Sequence, residues 1–173
     1  DVCSSDLVID YSNSQYKSDW MDIFLCAKAK FMLGTSSGLS AISYIFGTPI
    51  AMTNYLPTMS IYLSRRDLFI PKLLRNIDNN KLINLIDIMT KPYCFGVNDK
   101  MYKNLFKVNT IENSEQDIAN LTSEMIDKIK NNIKYSDEDE NLQNKFKKET
   151  ALREVLIGFP NMQLECRIGK KFL

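Results

Sequence analysis

Apolar positions along this chain fall into short runs and helical stripes that alternate, and the alternation sets the elements to expect. Residues 7–11 (Leu-Val-Ile-Asp-Tyr) read as a first strand, with a polar loop over residues 12–17. Ser18 stands where a helix N-cap belongs, and Asp19 and Asp22 place negative charge in the first turn. Trp20, Met21, Phe24, Leu25 and Ala27 recur at helical spacing and are expected to face a core. Phe31, Met32 and Leu33 form an apolar run ended by Gly34, as a buried parallel strand would be. Over residues 39–46 the spacing is helical again, with Leu39, Ile42, Ile45 and Phe46 on one face. Gly47 sits at the C-cap, and Pro49 opens the next apolar run over residues 49–52. Residues 30–54 therefore predict a βαβ unit.

Further on, residues 54–59 read as a loop at the carboxyl end of a strand. Residues 62–74 mix Arg65, Arg66 and Lys72 with apolar positions, and fit either an extended loop with a short strand or a solvated turn packed by Leu68, Phe69 and Ile70. The spacing predicts an amphipathic helix over residues 80–89, a loop over 93–104 and a short strand over 105–108. Ser114 and Asp117 form a capping-box pattern before a stripe of Ile118, Leu121, Met125, Ile129 and Ile133. Ser136 and the acidic run to Glu140 start another helix, with Lys145, Lys147 and Lys148 later in it. Residues 151–173 read as a packed extension. Alternating strands and helices make this an α/β chain: a Rossmann-like parallel sheet with flanking helices and a C-terminal helical extension.

Composition narrows the chemistry. The chain has 173 residues and 45% hydrophobic content, enough for one domain with a core. A net charge of +1 gives no global bias toward nucleic acid. The 4 cysteines are scattered without metal spacing, so reduced thiols in the cytoplasm are expected. No apolar run approaches the roughly 20 residues that span a bilayer. Histidine is absent, which excludes Ser-His-Asp, Cys-His and histidine-ligated zinc chemistry within these residues.

The turn Gly34-Thr35-Ser36-Ser37-Gly38 carries the candidate chemistry. It joins a strand to a helix N-terminus and offers hydroxyls, backbone N–H groups and a glycine that leaves room for a ligand, an arrangement that receives phosphate. Capping of the helix alone is an equally good reading of these residues. The glycine pattern matches neither a dinucleotide fingerprint nor a P-loop.

The stretch SDWMDIFLCAKAKFMLGTSSGLSAISYIFGTPIAMTNYLP resembles the C-terminal, donor-binding half of GT-B-type glycosyltransferases, in particular a bacterial family found with surface-polysaccharide genes. It is similar, more distantly, to heptosyltransferases and to sugar-nucleotide 2-epimerases. Asp67-Leu68-Phe69-Ile70-Pro71-Lys72, Arg167-Ile168-Gly169 and Phe172-Leu173 also resemble the bacterial family. The resemblance implies sugar transfer from a nucleotide-sugar donor to a glycan or lipid-linked acceptor. Gly34, Thr35, Ser36, Ser37, Gly38 and Leu39 would hold the donor, with Asn54 and Pro57 lining the cleft and Arg65 or Lys72 adding a cation. No metal and no cofactor are implied, since the nucleotide-sugar is a substrate. The enzyme would be cytoplasmic, with peripheral membrane association as an option. An epimerase and a non-catalytic nucleotide-binding fragment are the alternatives. Helix residues 37–46 contain no acidic residue, which weakens a retaining assignment of the E-x(7)-E kind.

Residues 1–7 (Asp-Val-Cys-Ser-Ser-Asp-Leu) resemble the translation of a short-read sequencing adapter and are expected to be an artefact. Residues 8–173 would then be a single nucleotide-sugar-binding domain, with the acceptor half and the general base upstream of it.

Overall fold

A computed structural model of the chain describes residues 8–56, 63–90, 93, 96, 98–157 and 165–172. In chain order the elements are α1 (Asp19–Lys28), β1 (Met32–Gly34), α2 (Gly38–Ile45), β2 (Ile50–Tyr55), β3 (Leu68–Pro71), β4 (Leu73–Asn76), α3 (Leu85–Thr90), α4 (Asp99–Asn104), β5 (Val108–Ile111), α5 (Glu115–Ile129), α6 (Asp137–Ile157) and β6 (Arg167–Ile168). β1, β2, β3 and β6 form a parallel sheet in that order, and β4 pairs antiparallel with β5 beside it. The fold is α/β and Rossmann-like, as the sequence pattern predicts.

Strand alternation splits the core into two layers. Ile50, Met52, Phe69 and Ile168 pack on one face with Phe146 of α6. Ala51, Leu68 and Ile70 pack on the other with Leu121 and Met125 of α5. Burial on both faces explains why Leu68-Phe69-Ile70 is uniformly apolar. The solvated-turn alternative for these residues therefore fails, and the short strand stands. Asp67 locks the strand starts together: its carboxylate accepts the Ile50 N–H at 2.7 Å and the Ser64 N–H at 2.5 Å. A third cluster, Leu74, Ile88, Tyr102 and Val108, holds the β4–β5 pair against α3 and α4.

Several expectations are corrected. Val8 to Asp10 form no strand; the Asp10 side chain instead caps a 3-10 turn at Tyr11–Asn13, and Ile9 is exposed. Ser18 caps α1 as predicted, accepting the Met21 N–H at 3.2 Å. The apolar stripe of α1 is not core, however. Trp20 is 67% and Phe24 40% exposed, stacked on each other at 5.2 Å, although α1 packs against α2. In α2 the buried residues are Ser40 and Ser43, not Leu39, Ile45 or Phe46, which face solvent. The small Ser43 side chain sets its Oγ against the Met32 sulfur at 3.2 Å.

The predicted helix over residues 80–89 shrinks to α3, because Asn80 takes φ +56° and Leu82 bridges to Arg75. Asn98 caps α4 inside the stretch predicted as loop. The strand expected at residues 105–108 starts at Val108, after Lys107 takes φ +55°. The Ser114–Asp117 capping box holds, with N–H to side-chain distances of 3.0 and 3.2 Å. The extension contributes β6, the fourth strand of the sheet, which the sequence reading left out.

Candidate functional site

Parallel pairing places the carboxyl ends of β1, β2 and β3 on one edge of the sheet, together with the N-termini of α2 and α5. A cleft of about 320 Å³ opens there, lined by Thr35, Ser36, Asn54, Leu56, Lys72, Gly96 and Glu112. Open α/β sheets bind ligands at this edge.

The first wall is the β1–α2 turn. Thr35 and Ser36 are exposed on the cleft. Ser37 is spent on the helix: its Oγ accepts the Ser40 N–H at 3.4 Å, and its N–H donates to Ser40 Oγ at 3.0 Å. The next two N–H groups, of Gly38 and Leu39, meet no acceptor among the described residues. A Cβ built on Gly38 meets nothing within 4 Å, so the approach to these N–H groups is open. With the positive end of the α2 dipole behind them, they suit an anion. Gly34 ends β1, and its carbonyl accepts from Thr53 Oγ1 at 3.3 Å.

The second wall is built on asparagines. Asn54 takes a left-handed φ of 50°, a conformation asparagine adopts far more readily than branched residues. Its N–H donates to Asn113 Oδ1, the Asn113 N–H donates to Asn54 Oδ1, and Asn113 Nδ2 donates to the Pro71 carbonyl at 2.8 Å. Asn54 thus works partly as a clamp that ties the end of β2 to the start of α5.

The cation is Lys72, just after β3. Its side chain is 14% exposed, and Nζ pairs with Glu112 at 2.5 Å and with Asp99 at 3.8 Å. Asp99 also accepts from Thr110 Oγ1 at 3.0 Å. A ligand anion entering the cleft would compete with these carboxylates for one ammonium.

The structure brings Thr35, Ser36, Asn54 and Lys72 to one cleft, with Gly34, Ser37, Gly38 and Leu39 framing its turn. Arg65 is not among them. It precedes β3, whose Leu68 pairs with Ala51 near the start of β2, so it sits at the opposite end of the sheet, where it pairs with Glu165 at 3.4 Å. Pro57 lies outside the described residues. Sequence reasoning missed Glu112 and Asn113. The one available signal was their position immediately before the Ser114 cap, at the turn into α5.

Among the described residues, no group of three or more Cys, Asp or Glu side chains could hold a metal ion. No helix among them is long and apolar enough to cross a membrane. No family model, curated protein or solved structure matches the chain.

Proposed function

We propose that this chain supplies the donor site of a GT-B-type glycosyltransferase, which transfers a sugar from a nucleotide-sugar to a glycan or lipid-linked acceptor. The observation that carries this reading is the meeting of the Thr35 and Ser36 hydroxyls with Lys72 in one cleft at the carboxyl edge of a parallel sheet. The family resemblance of residues 18–57 supports it as analogy, and the fold alone does not select it.

On this reading the donor diphosphate lies against the Gly38 and Leu39 N–H groups, with Thr35 and Ser36 bonding its oxygens. When the sugar–oxygen bond breaks, negative charge grows on the nucleoside diphosphate. The end of α2 and the Lys72 ammonium stabilise that charge, and no metal ion is needed for the purpose. Lys72 must then exchange Glu112 for phosphate as the donor binds. These residues supply the donor side of the reaction and are assigned no general base. The enzyme works in the cytoplasm, with the membrane surface as the place where a lipid-linked acceptor would be met.

The test is calorimetric titration of the chain with uridine, guanosine, cytidine and thymidine diphosphates and their sugar conjugates, repeated on the longest intact reading frame with assay of sugar release. Micromolar to millimolar binding that is lost in Lys72→Ala is the expected result. No nucleotide affinity in either protein overturns the proposal.

A further inference from the structure

The opposite, N-terminal edge of the sheet holds a second cleft, of about 370 Å³, that the donor reading does not use. It is lined by Pro49 at the start of β2, Arg65 and Arg66 before β3, and Lys128, Ile129 and Asn131 at the end of α5. β2 runs about 20 Å between the two clefts at some 3.3 Å per residue. Among the described residues, no carboxylate lines this second cleft.

The acidic groups engaged with this corner are already committed. Asp67 is buried, with its oxygens taken by the Ile50 and Ser64 N–H groups. Glu165 pairs with Arg65 at 3.4 Å, and both side chains are well exposed. Arg66 is different: its guanidinium has no acceptor among the described residues. It rests against Gly47, where any Cβ would stand 2.8 Å from Nη2. The bare backbone there, at φ +71°, leaves room for Nη2 to approach end-on.

Lys128 donates to the Arg65 carbonyl at 2.9 Å, and an ammonium has two further donors. Burial disfavours its charged form and the Arg167 cation adds to that, while the carboxylates of Asp67 and Glu124 act at longer range in the opposite direction. No carboxylate among the described residues forms a direct ion pair with this ammonium, so an arriving anion would be its first contact partner of opposite charge.

We propose that this cleft is a second binding site, for a phosphate-bearing ligand, with Arg66 and Lys128 as its cations and Asn131 as an amide donor. The guanidinium fork matches two phosphate oxygens, and the ammonium adds a point charge beside it. Pro49 and Ile129 give apolar walls for the body that carries the phosphate. The volume falls at the low end of small-molecule pockets, roughly 300–1,000 Å³.

The experiment titrates the chain with inorganic phosphate and glycerol 3-phosphate at matched chloride ionic strength, following amide shifts in nitrogen-15 spectra. Saturable shifts clustered at residues 47–49, 65–66 and 128–131 are expected. Arg66→Glu and Lys128→Gln should each weaken them at least about tenfold, the effect of losing a charge-assisted hydrogen bond. Lys103→Glu, an equal or larger charge change on α4, should leave them within about twofold if the binding is local. Spectra of Arg66→Gln check that any loss is not misfolding. Cosedimentation with phosphatidylglycerol vesicles, set against glycerol 3-phosphate, tells a lipid headgroup from a soluble phosphate as the source. Shifts that survive Arg66→Glu and Lys128→Gln, or that appear only around Thr35 and Ser36, overturn the proposal. So does an absence of shifts with both soluble probes and of sedimentation with vesicles.

Discussion

Asn54 and Asn113 hold each other by exchange: each backbone N–H donates to the other's side-chain oxygen, at 2.5 and 2.6 Å. Two chain segments 59 residues apart are thereby joined at the mouth of the cleft. Asn113→Ala leaves the Asn54 N–H and the Pro71 carbonyl without their partner. It should destabilise the fold by about 1–3 kcal/mol. In a double-mutant cycle with Asn54→Gly, which tolerates the left-handed backbone, a coupling of about 0.5–3 kcal/mol is expected in urea unfolding.

Gly38 faces open space, so Gly38→Val tests the cleft with little disturbance to the core. Stability should change by less than about 1 kcal/mol, the scale of helix propensity. Nucleoside diphosphate binding should be lost, because the new methyl groups stand over the Gly38 and Leu39 N–H groups. Unchanged affinity in calorimetry would mean that the turn only starts its helix.

Ser37 and Ser40 satisfy each other's backbone N–H groups. Ser37→Ala should therefore cost about 1 kcal/mol in thermal unfolding. Its effect on diphosphate affinity should be smaller than that of Gly38→Val, since its hydroxyl is engaged in the cap.

Lys72 and Glu112 predict opposite signs. Lys72→Ala removes the cation and should weaken diphosphate binding about tenfold or more. Glu112→Gln removes the carboxylate that competes for Lys72 and should tighten it. Titration of pyrophosphate into both variants measures this directly, and weaker pyrophosphate binding in Glu112→Gln would contradict the competition.

Glu124 of α5 predicts a pH dependence. It is buried, accepts from the Lys170 N–H at 2.8 Å and the Tyr135 hydroxyl at 3.1 Å, and desolvation holds its pKa above the ordinary 4.5. The folded state therefore keeps a proton that the unfolded chain has released. The stability this adds is fully present below pH 4.5 and is lost as pH rises through the folded pKa. Against Glu124→Gln, which cannot titrate, the wild-type chain should lose relative stability as pH rises above 4.5. Urea midpoints across that range read it.

Local rules made much of the scaffold legible. Ser18, Ser37 and Ser114 cap helices because a short hydroxyl side chain meets the N–H groups that a helix start leaves open. Ile50-Ala51-Met52 is a strand because a sheet covered on both faces wants a continuous apolar run, and Met32-Leu33 pairs beside it at the sheet edge, where Leu33 stays exposed. Thr35 and Ser36 were legible for the same reason, since they occupy the turn between such a strand and such a cap. Residues whose role depends on distant pairing were not. Arg167-Ile168 is too short to announce a strand, and it becomes one only because Leu68 and Phe69 offer an edge. Glu112 and Asn113 enter the cleft through the antiparallel β4–β5 pairing, which leaves no mark in their local pattern. The stripe on α1 misled because periodicity reports that a face is apolar, not that something covers it.

The pairing of β3 with β6 also sets an order of events during synthesis. Leu68 and Phe69 leave the ribosome roughly a hundred residues before Arg167 and Ile168, a long loop to close for a short strand. Throughout that interval one side of β3 presents unpaired backbone groups flanked by Leu68, Phe69 and Ile70, a template to which any extended neighbour can attach. The nascent chain is thus most exposed to misassociation at the strand that becomes the most deeply enclosed part of its core.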